Sequence, residues 1–327
     1  MNDNYIAFSL PTGIGAKIGG FAGDIGHIVR QFSQYFKVIV NPNAVNGGIL
    51  SAINSNMFYT EGFAFDEFLC GNLNLLPVNE QNKIGVIFDC AIPKDVLNVH
   101  LNTISAARVV WGASILEPFF TDEQVGVDFE IKNNMSSGIL KNPNTLLSAC
   151  KKAIENGANA LAVVCFFGED ADNEAYSNGI GIDPIGGVEA VISHLVVKEF
   201  NVPCAHAPAF LDIDISKNIE NEKVASECIS STYLPCILQG LSYAPQFVKQ
   251  GGLSYKNVSH LVVPNGALGS KGVLGAIQNG IQICAVKNSS KLNVGFNKLK
   301  TGDILQFESY NLCLKYLKEF KNGKEKL

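Results

Sequence analysis

The chain has 327 residues, of which 47% are hydrophobic and 17% are charged, and it contains 31 glycines and 12 prolines. This composition excludes an intrinsically disordered protein. The formal net charge of -5 excludes a general nucleic-acid-binding protein, because non-specific affinity for nucleic acid comes mostly from lysine and arginine. At about 150 residues per domain, the length predicts one large domain or two tightly joined lobes.

The first half of the chain alternates short apolar runs with segments of helical period. A strand is predicted at residues 5–10, and a glycine-rich turn connects it to a helix near residues 25–36. The predictions that follow in chain order are strands at 37–40 and 84–88, a helix at 93–111 and an extended segment at 118–131.

The second half continues this alternation. A helix is predicted to begin at Asn142-Pro143 and to end at Gly157, in the manner of a glycine cap. Further along the chain we predict a strand at 160–167, a helix at 184–200, an extended piece at 202–206, helices at 234–248 and 308–320, and a βαβ unit made of strand 260–263, helix 271–279 and strand 281–286.

Strands that alternate with helices predict an α/β fold with a mostly parallel sheet or sheets, crossover helices and two closely packed lobes. A soft division near Asn142 separates the lobes. The N-terminal lobe, residues 1–141, contains the glycine-rich turn, and the C-terminal lobe, residues 142–327, contains a Pro-Cys-Ala-His-Ala-Pro motif and the terminal βαβ unit.

The nine cysteines indicate a reducing cellular compartment. Most of them lie inside apolar segments, where cysteine is typically a small, reduced hydrophobic residue. The first residues lack the basic and apolar regions of a secretory signal. No apolar run approaches the ~18 residues that a membrane span requires. These features predict a protein of the reducing cytoplasm.

Residues 11–24 form the densest glycine cluster, at a strand-to-helix turn where backbone N–H groups can bind an anion. Gly13, Gly15 and Gly19 have a spacing one residue longer than the dinucleotide-binding fingerprint. The second strand ends in Asn41, where that fingerprint needs an acid. Two interpretations stay open: a site for an anionic or amide-bearing ligand, and a tight packing turn.

Polar residues that follow predicted strands define a possible ligand rim, because ligands in open α/β sheets bind beyond the carboxyl ends of the strands. Thr12, Asn43 and Asn46 follow the first two strands. Asparagines in turns also cap the backbone, which is the structural alternative. A second glycine-rich strand-to-helix turn contributes Gly269, Ser270 and Lys271.

Two histidines and a cysteine are the candidate catalytic residues. Cys204 and His206 are two residues apart in an extended piece, so their side chains leave the same face and could form a thiolate–imidazolium nucleophile. His194 could join them, and the three have ligand types suited to zinc, although we expect no closed structural zinc site. A structural role for each histidine is the alternative. Asp183, before Pro184, has the form of a helix cap.

Five segments carry a resemblance to a known family: residues 11–24, 41–43, 181–194, 203–208 and 235–245. They resemble the DUF3326 family of uncharacterised bacterial and plastid proteins, from the first strand to about Asn288. The chain departs from the pattern at Asn41, where the resemblance implies histidine, and in its lysine-rich tail. The first departure weakens a catalytic role for a histidine at that rim. The resemblance implies kinship and no particular activity.

The residues therefore predict an enzyme of small-molecule metabolism, of the hydrolase, lyase or isomerase type. Its polar or anionic substrate would bind at the glycine-rich turns, and Cys204, His206 and His194 would carry out nucleophilic or acid–base chemistry. The expected substrate-binding residues are Thr12, Gly13, Gly15, Asn43, Asn46, Asp183, Gly269, Ser270 and Lys271. The alternative is a non-catalytic metabolite-binding or regulatory module. The cofactor is unknown, the expected partner is a small-molecule substrate without nucleic acid or membrane, and homo-oligomerisation is left open.

Overall fold

The structure is a computed structural model of the chain. It describes residues 5–10, 25–45, 53–132, 135–168, 178, 182–212, 219, 221, 228–287, 294–299, 301 and 303–324.

The strands of these residues are numbered in chain order. They are β1 (Tyr5–Phe8), β2 (Lys37–Val40), β3 (Met57–Tyr59), β4 (Asn74–Leu76), β5 (Ile84–Phe88), β6 (Phe119–Phe120), β7 (Val127–Lys132), β8 (Met135–Leu140), β9 (Ala160–Phe166), β10 (Cys204–Ala209), β11 (Gln246–Val248), β12 (Val258–Pro264), β13 (Gln282–Val286) and β14 (Ile304–Phe307).

The helices are numbered in the same way. They are α1 (Gly26–Ser33), α2 (Gly62–Cys70), α3 (Lys94–Trp111), α4 (Pro143–Glu155), α5 (Gly186–Phe200), α6 (Leu234–Ser242), α7 (Lys271–Gln278), α8 (Phe296–Leu299) and α9 (Tyr310–Lys324). Short 3₁₀ turns occur at Pro42–Ala44 and Tyr255–Asn257.

Two parallel sheets organise the fold. One has six strands in the order β14-β13-β12-β1-β2-β3, and the other has four in the order β10-β9-β5-β6. Every pairing within these two sheets is parallel, and two small antiparallel pairs, β4 with β11 and β7 with β8, lie outside them. The prediction of an α/β fold with mostly parallel sheets and crossover helices is confirmed.

Both sheets combine strands from the two halves of the chain. The six-stranded sheet joins β1–β3 to β12–β14, and the four-stranded sheet joins β5 and β6 to β9 and β10. The division at residue 142 therefore does not coincide with the division into sheets.

The inner strands β1, β5, β9 and β12 are buried on both faces, as parallel strands covered by helices are. Phe8 belongs to an apolar cluster that contains residues of both sheets and of α6, whereas its neighbour Ala7 belongs to a second cluster on the opposite face. The second cluster also contains Phe68 of α2, Val196 of α5 and Val273 of α7. Packing of these three helices through one cluster brings together segments that are distant in sequence.

The predicted end of helix α6 is wrong. The helix predicted at residues 234–248 ends at Ser242, and Gln246–Val248 forms strand β11, which pairs with β4. Pro245 explains the difference, because a proline disfavours helical backbone in the residue before it and cannot donate the next helical hydrogen bond.

Candidate functional site

Cys204 and His206 both lie on β10, and Cys204 is fully buried. Burial raises the pKa of the Cys204 thiol well above its ordinary value. Burial, with the charge of His194, lowers the pKa of His206 to about 3. Both groups are therefore neutral near pH 7, which opposes the expected thiolate–imidazolium pair.

His194, in the middle of α5, is held by a buried carboxylate. Its Nδ1 atom hydrogen-bonds Oε1 of Glu61, and because a carboxylate only accepts, Nδ1 is the donor. The Glu61 side chain is 1% exposed, whereas that of His194 is 42% exposed. Among the described residues, none hydrogen-bonds the other ring nitrogen, Nε2. The arrangement is a carboxylate–histidine dyad with one ring nitrogen available.

Glu61 is placed by the start of α2. The chain leaves β3 at Tyr59, and Glu61 occupies the N-cap position of α2, where its Oε2 accepts the N–H of Ala64 at 3.1 Å. A carboxylate at a helix N-terminus satisfies an otherwise unpaired backbone donor and interacts favourably with the helix dipole. The same residue therefore begins the helix and orients the histidine.

Ser193 connects the second histidine to this dyad. Its Oγ atom lies 3.3 Å from Oε1 of Glu61 and 3.0 Å from Nδ1 of His206. Ser193 is buried and precedes His194 on α5. The structure thus brings together two of the three predicted catalytic residues, His194 and His206, around a glutamate that the sequence analysis does not single out.

Asp66, one turn further along α2, is a second carboxyl group near His194. Its carboxylate accepts the backbone N–H of Gly272 in the first turn of α7. Burial raises the pKa of Asp66 to about 6, although the charges of His194 and Lys271 and the Gly272 hydrogen bond act in the opposite direction. We call Glu61, Asp66, Ser193, His194 and His206 the Glu61 cluster.

The pKa of His194 is raised from its ordinary value. Burial alone would lower it, but the hydrogen bond that His194 donates to Glu61 and the negative charges of Glu61 and Asp66 outweigh burial. Among the described residues, no group of three or more histidine, cysteine, aspartate or glutamate side chains is arranged to hold a metal ion. The chemistry that the cluster's own side chains offer is proton transfer.

The second glycine-rich turn ends beside the Glu61 cluster. Lys271 forms an ion pair with Glu67 of α2, and its Nζ atom lies 5.9 Å from the ring centroid of Phe63. That ring in turn lies 6.4 Å from the ring of His194. Ser270 caps α7, since its Oγ atom accepts the N–H of Val273 at 3.3 Å. Lys271 is therefore near the site but already has an acidic partner.

Of the remaining predicted binding residues, Asp183, Asn43 and Gly269 are described by the structure and four are not. Asp183 accepts the N–H groups of Ile185 and Gly186 at 3.0 and 3.1 Å. It is not the N-cap that the sequence predicts, because α5 begins at Gly186 and its N-cap is Ile185, so Asp183 holds the turn just before the helix. Asn43 lies in the 3₁₀ turn after β2, and Gly269 precedes the capping serine of α7. Thr12, Gly13, Gly15 and Asn46 lie outside the described residues.

Asn41 has a structural role at the carboxyl end of β2. Its side-chain Oδ1 accepts the N–H of Leu10 at 2.9 Å, and its Nδ2 donates to the carbonyl of the same residue. The amide thereby extends the pairing of β1 with β2 by one residue. This interaction fixes the backbone immediately before the glycine-rich segment at 11–24.

Fold and site define an α/β protein with two parallel sheets and a carboxylate–histidine dyad. The chain belongs to the family described as "protein of unknown function (DUF3326)", which it matches over residues 6–325. It is similar to an "uncharacterized lipoprotein" of Synechococcus sp., with 36% identity over 296 residues, which is 87% of this chain and 82% of the relative. No solved structure matches the chain.

Within the part of the chain that the structure describes, no helix is both long and apolar enough to cross a bilayer.

Proposed function

We propose that the protein is an enzyme of small-molecule metabolism in which His194 is the general acid and base and Glu61 orients it. One observation carries the proposal: Nδ1 of a partly exposed histidine is bonded to a buried carboxylate, while Nε2 has no hydrogen-bond partner among the described residues. A carboxylate on Nδ1 fixes the tautomer, so that neutral His194 presents a lone pair at Nε2 to a substrate.

Asp66 supports proton transfer over nucleophilic chemistry. Its pKa of about 6 is close to neutral pH, and the pKa of His194 is raised from its ordinary value. General acid–base catalysis works best with groups of this kind. Cys204, in contrast, is buried with a raised pKa and is a poor nucleophile. We therefore favour an isomerase or lyase over a hydrolase with a cysteine nucleophile.

The surroundings of the site favour a small polar or anionic substrate. Protonated His194 is a cation, and the carboxylates of Glu61 and Asp66 already accept N–H groups at the N-termini of α2 and α7. Helix N-termini attract negative charge. Lys271 would add a second cation if a substrate replaced its partner Glu67.

The test is proton exchange in D₂O with a defined mixture of hydroxy acids, keto acids, amino acids and sugar phosphates, followed by ¹H NMR. The wild-type protein is expected to exchange or convert at least one compound. The variant His194→Gln should slow this reaction by at least about 100-fold, the lower range for general acid–base catalysis. The control is His27→Gln, which changes an exposed histidine of α1 and should leave the rate unchanged.

Two outcomes contradict the proposal. If the wild-type protein alters no compound, the mixture gives no support to an enzyme, and the metabolite-binding module becomes the better interpretation. If His194→Gln and the wild type react at equal rates, the activity does not use the Glu61–His194 dyad.

For the compartment we propose the cytoplasm. The support is that none of the nine cysteines forms a disulfide bond and six of them are buried as thiols, as in a reducing environment. The printed name of the Synechococcus relative calls that protein a lipoprotein. Cell fractionation with radiolabelled palmitate decides between the two: label in this chain, or its recovery with the membrane fraction, would contradict the proposal.

A further inference from the structure

We propose that Ser193 and His206 are positioning residues of the Glu61–His194 dyad, with His206 in its Nδ1–H tautomer. In this arrangement His206 donates to the hydroxyl of Ser193, and Ser193 donates to Glu61. The inference rests on the proposed function, because it assigns a role to two residues that do not themselves face the reacting atoms.

The direction of the hydrogen bonds follows from counting protons. A serine hydroxyl has one proton, and Oγ of Ser193 has three neighbours: Nδ1 of His206 at 3.0 Å, Oε1 of Glu61 at 3.3 Å and the carbonyl of Ala190 at 3.3 Å. If the Nε2–H tautomer of His206 accepted that proton, nothing from Ser193 would remain for Glu61. The Nδ1–H tautomer frees the serine proton to point at an oxygen.

Of the two oxygens near Ser193, the carboxylate oxygen of Glu61 needs a hydrogen-bond donor more than the carbonyl oxygen of Ala190 does. Its carboxylate is 1% exposed, and a buried charge requires hydrogen-bond donors. The donors in place are the N–H of Ala64 to Oε2 and Nδ1–H of His194 to Oε1. The Ala190 carbonyl is an ordinary helix carbonyl of α5 and can accept within the helix. A charged acceptor also forms the stronger hydrogen bond.

The neutral state of His206 suits this role. Burial and the nearby His194 keep its pKa at about 3, so it keeps a single proton over the physiological range. Because it stays neutral, His206 also does not compete with His194 as a cationic partner of Glu61. The other charged groups near His194 are Asp66 of α2 and Lys271 of α7, and both stay in place in the variants below.

The experiment uses ¹⁵N NMR of the full chain with labelled histidines. The expected spectrum shows His206 as the Nδ1–H tautomer, unchanged between pH 5 and 8. In Ser193→Ala the carboxylate loses one of its fixed contacts, so the Glu61–His194 hydrogen bond loosens and the measured pKa of His194 falls by at least about half a unit. Ser193→Thr keeps a hydroxyl and should restore the wild-type pKa.

Ser242→Ala is the matched control, since Ser242 is also a buried serine in a helix and donates only to the carbonyl of Leu238 among the described residues. This substitution should leave the pKa of His194 unchanged. An Nε2–H tautomer at His206, or a His194 pKa that stays the same or rises in Ser193→Ala, overturns the inference.

These readouts do not depend on turnover, so the two proposals can fail separately. If His194→Gln leaves the reaction rate unchanged while Ser193→Ala shifts the pKa of His194, the proposed function is wrong and the coupling stands. If the reaction rate depends on His194 while Ser193→Ala leaves the pKa of His194 unchanged, the positioning role is wrong and the proposed function stands.

Discussion

The imidazole of His194 lies against the first residue of α2, Gly62: a Cβ atom at that position would come within 2.9 Å of Cε1 of the ring. Real Cβ atoms do not approach so closely, so a side chain at residue 62 and the observed position of His194 exclude each other. The glycine that follows the N-cap of α2 is therefore part of the site.

We expect Gly62→Ala to displace His194 and to lower its pKa, because the ring must turn away from Glu61. Since the ring can move, the fold should change in stability by less than about 2 kcal/mol, with overpacking and the higher helix propensity of alanine acting in opposite directions. NMR titration of His194 and urea unfolding measure both quantities. Gly323→Ala in α9 is the control, because nothing lies within 4 Å of its Cβ position; a wild-type pKa in Gly62→Ala would contradict the argument.

Glu61→Gln should remove the larger of the two causes that raise the pKa of His194 and leave the smaller, the charge of Asp66. A histidine whose pKa is higher in the folded than in the unfolded state stabilises the fold fully below about pH 6.5, and this contribution is lost as pH rises through the folded pKa. The free energy of unfolding of the wild type should thus decrease over that interval, and the decrease should be smaller in Glu61→Gln. Urea unfolding at closely spaced pH values measures it; equal slopes in the two proteins would show that the dyad does not couple to folding.

Asp66→Asn should change the stability profile at lower pH. The pKa of Asp66 is about 6 in the fold, above its ordinary value, so the folded state binds the proton more tightly and loses stability as pH rises from about 4 to 6. The neutral amide has no such dependence and can still accept the N–H of Gly272. The measurement is urea unfolding from pH 4 to 7. In the same variant the pKa of His194 should fall, because a nearby negative charge is lost.

The longer strands of the fold could be predicted well from the sequence. The runs at 37–40 and 84–88 coincide with β2 and β5, because buried parallel strands are continuous apolar runs that end at turn residues. The sequence predicts no element between them, although β3, α2 and β4 lie there. Strands of three residues are too short to show a period, and α2 carries a further apolar residue, Phe63, besides its buried Ala64, Phe65, Phe68 and Leu69, which blurs its amphipathic pattern.

The site could be predicted only in part. His194 and His206 stand out because the chain has five histidines, but Glu61 is separated from His194 by 133 residues and sits among the 30 acidic residues of the chain. Nothing in the sequence says which carboxylate a fold will bring to a histidine. The local signal that existed was positional: Glu61 precedes a glycine at the start of a helix, as a capping residue does.

The burial of Cys204 is the other feature that could not be predicted from sequence periodicity. Alternation along β10 shows that residues 204 and 206 share a face, but whether that face meets solvent or core depends on what covers it. Helix α5 packs on β10 through Ser193 and the apolar cluster that contains Val196 and Cys204, and the thiol is buried as a result.

Labelling with iodoacetamide and peptide mapping checks this placement. Cys90 is the exposed cysteine and should react first at pH 7, whereas Cys204 and Cys165 are buried, with pKa values raised well above the ordinary value, and should stay unlabelled in the folded protein. His206→Ala should not slow the reaction at Cys204, since no thiolate–imidazolium pair exists to lose. If Cys204 labels as fast as Cys90 and the His206 variant slows it, the pair is ionised after all, and the nucleophilic mechanism predicted from the sequence would replace the one based on Glu61 and His194.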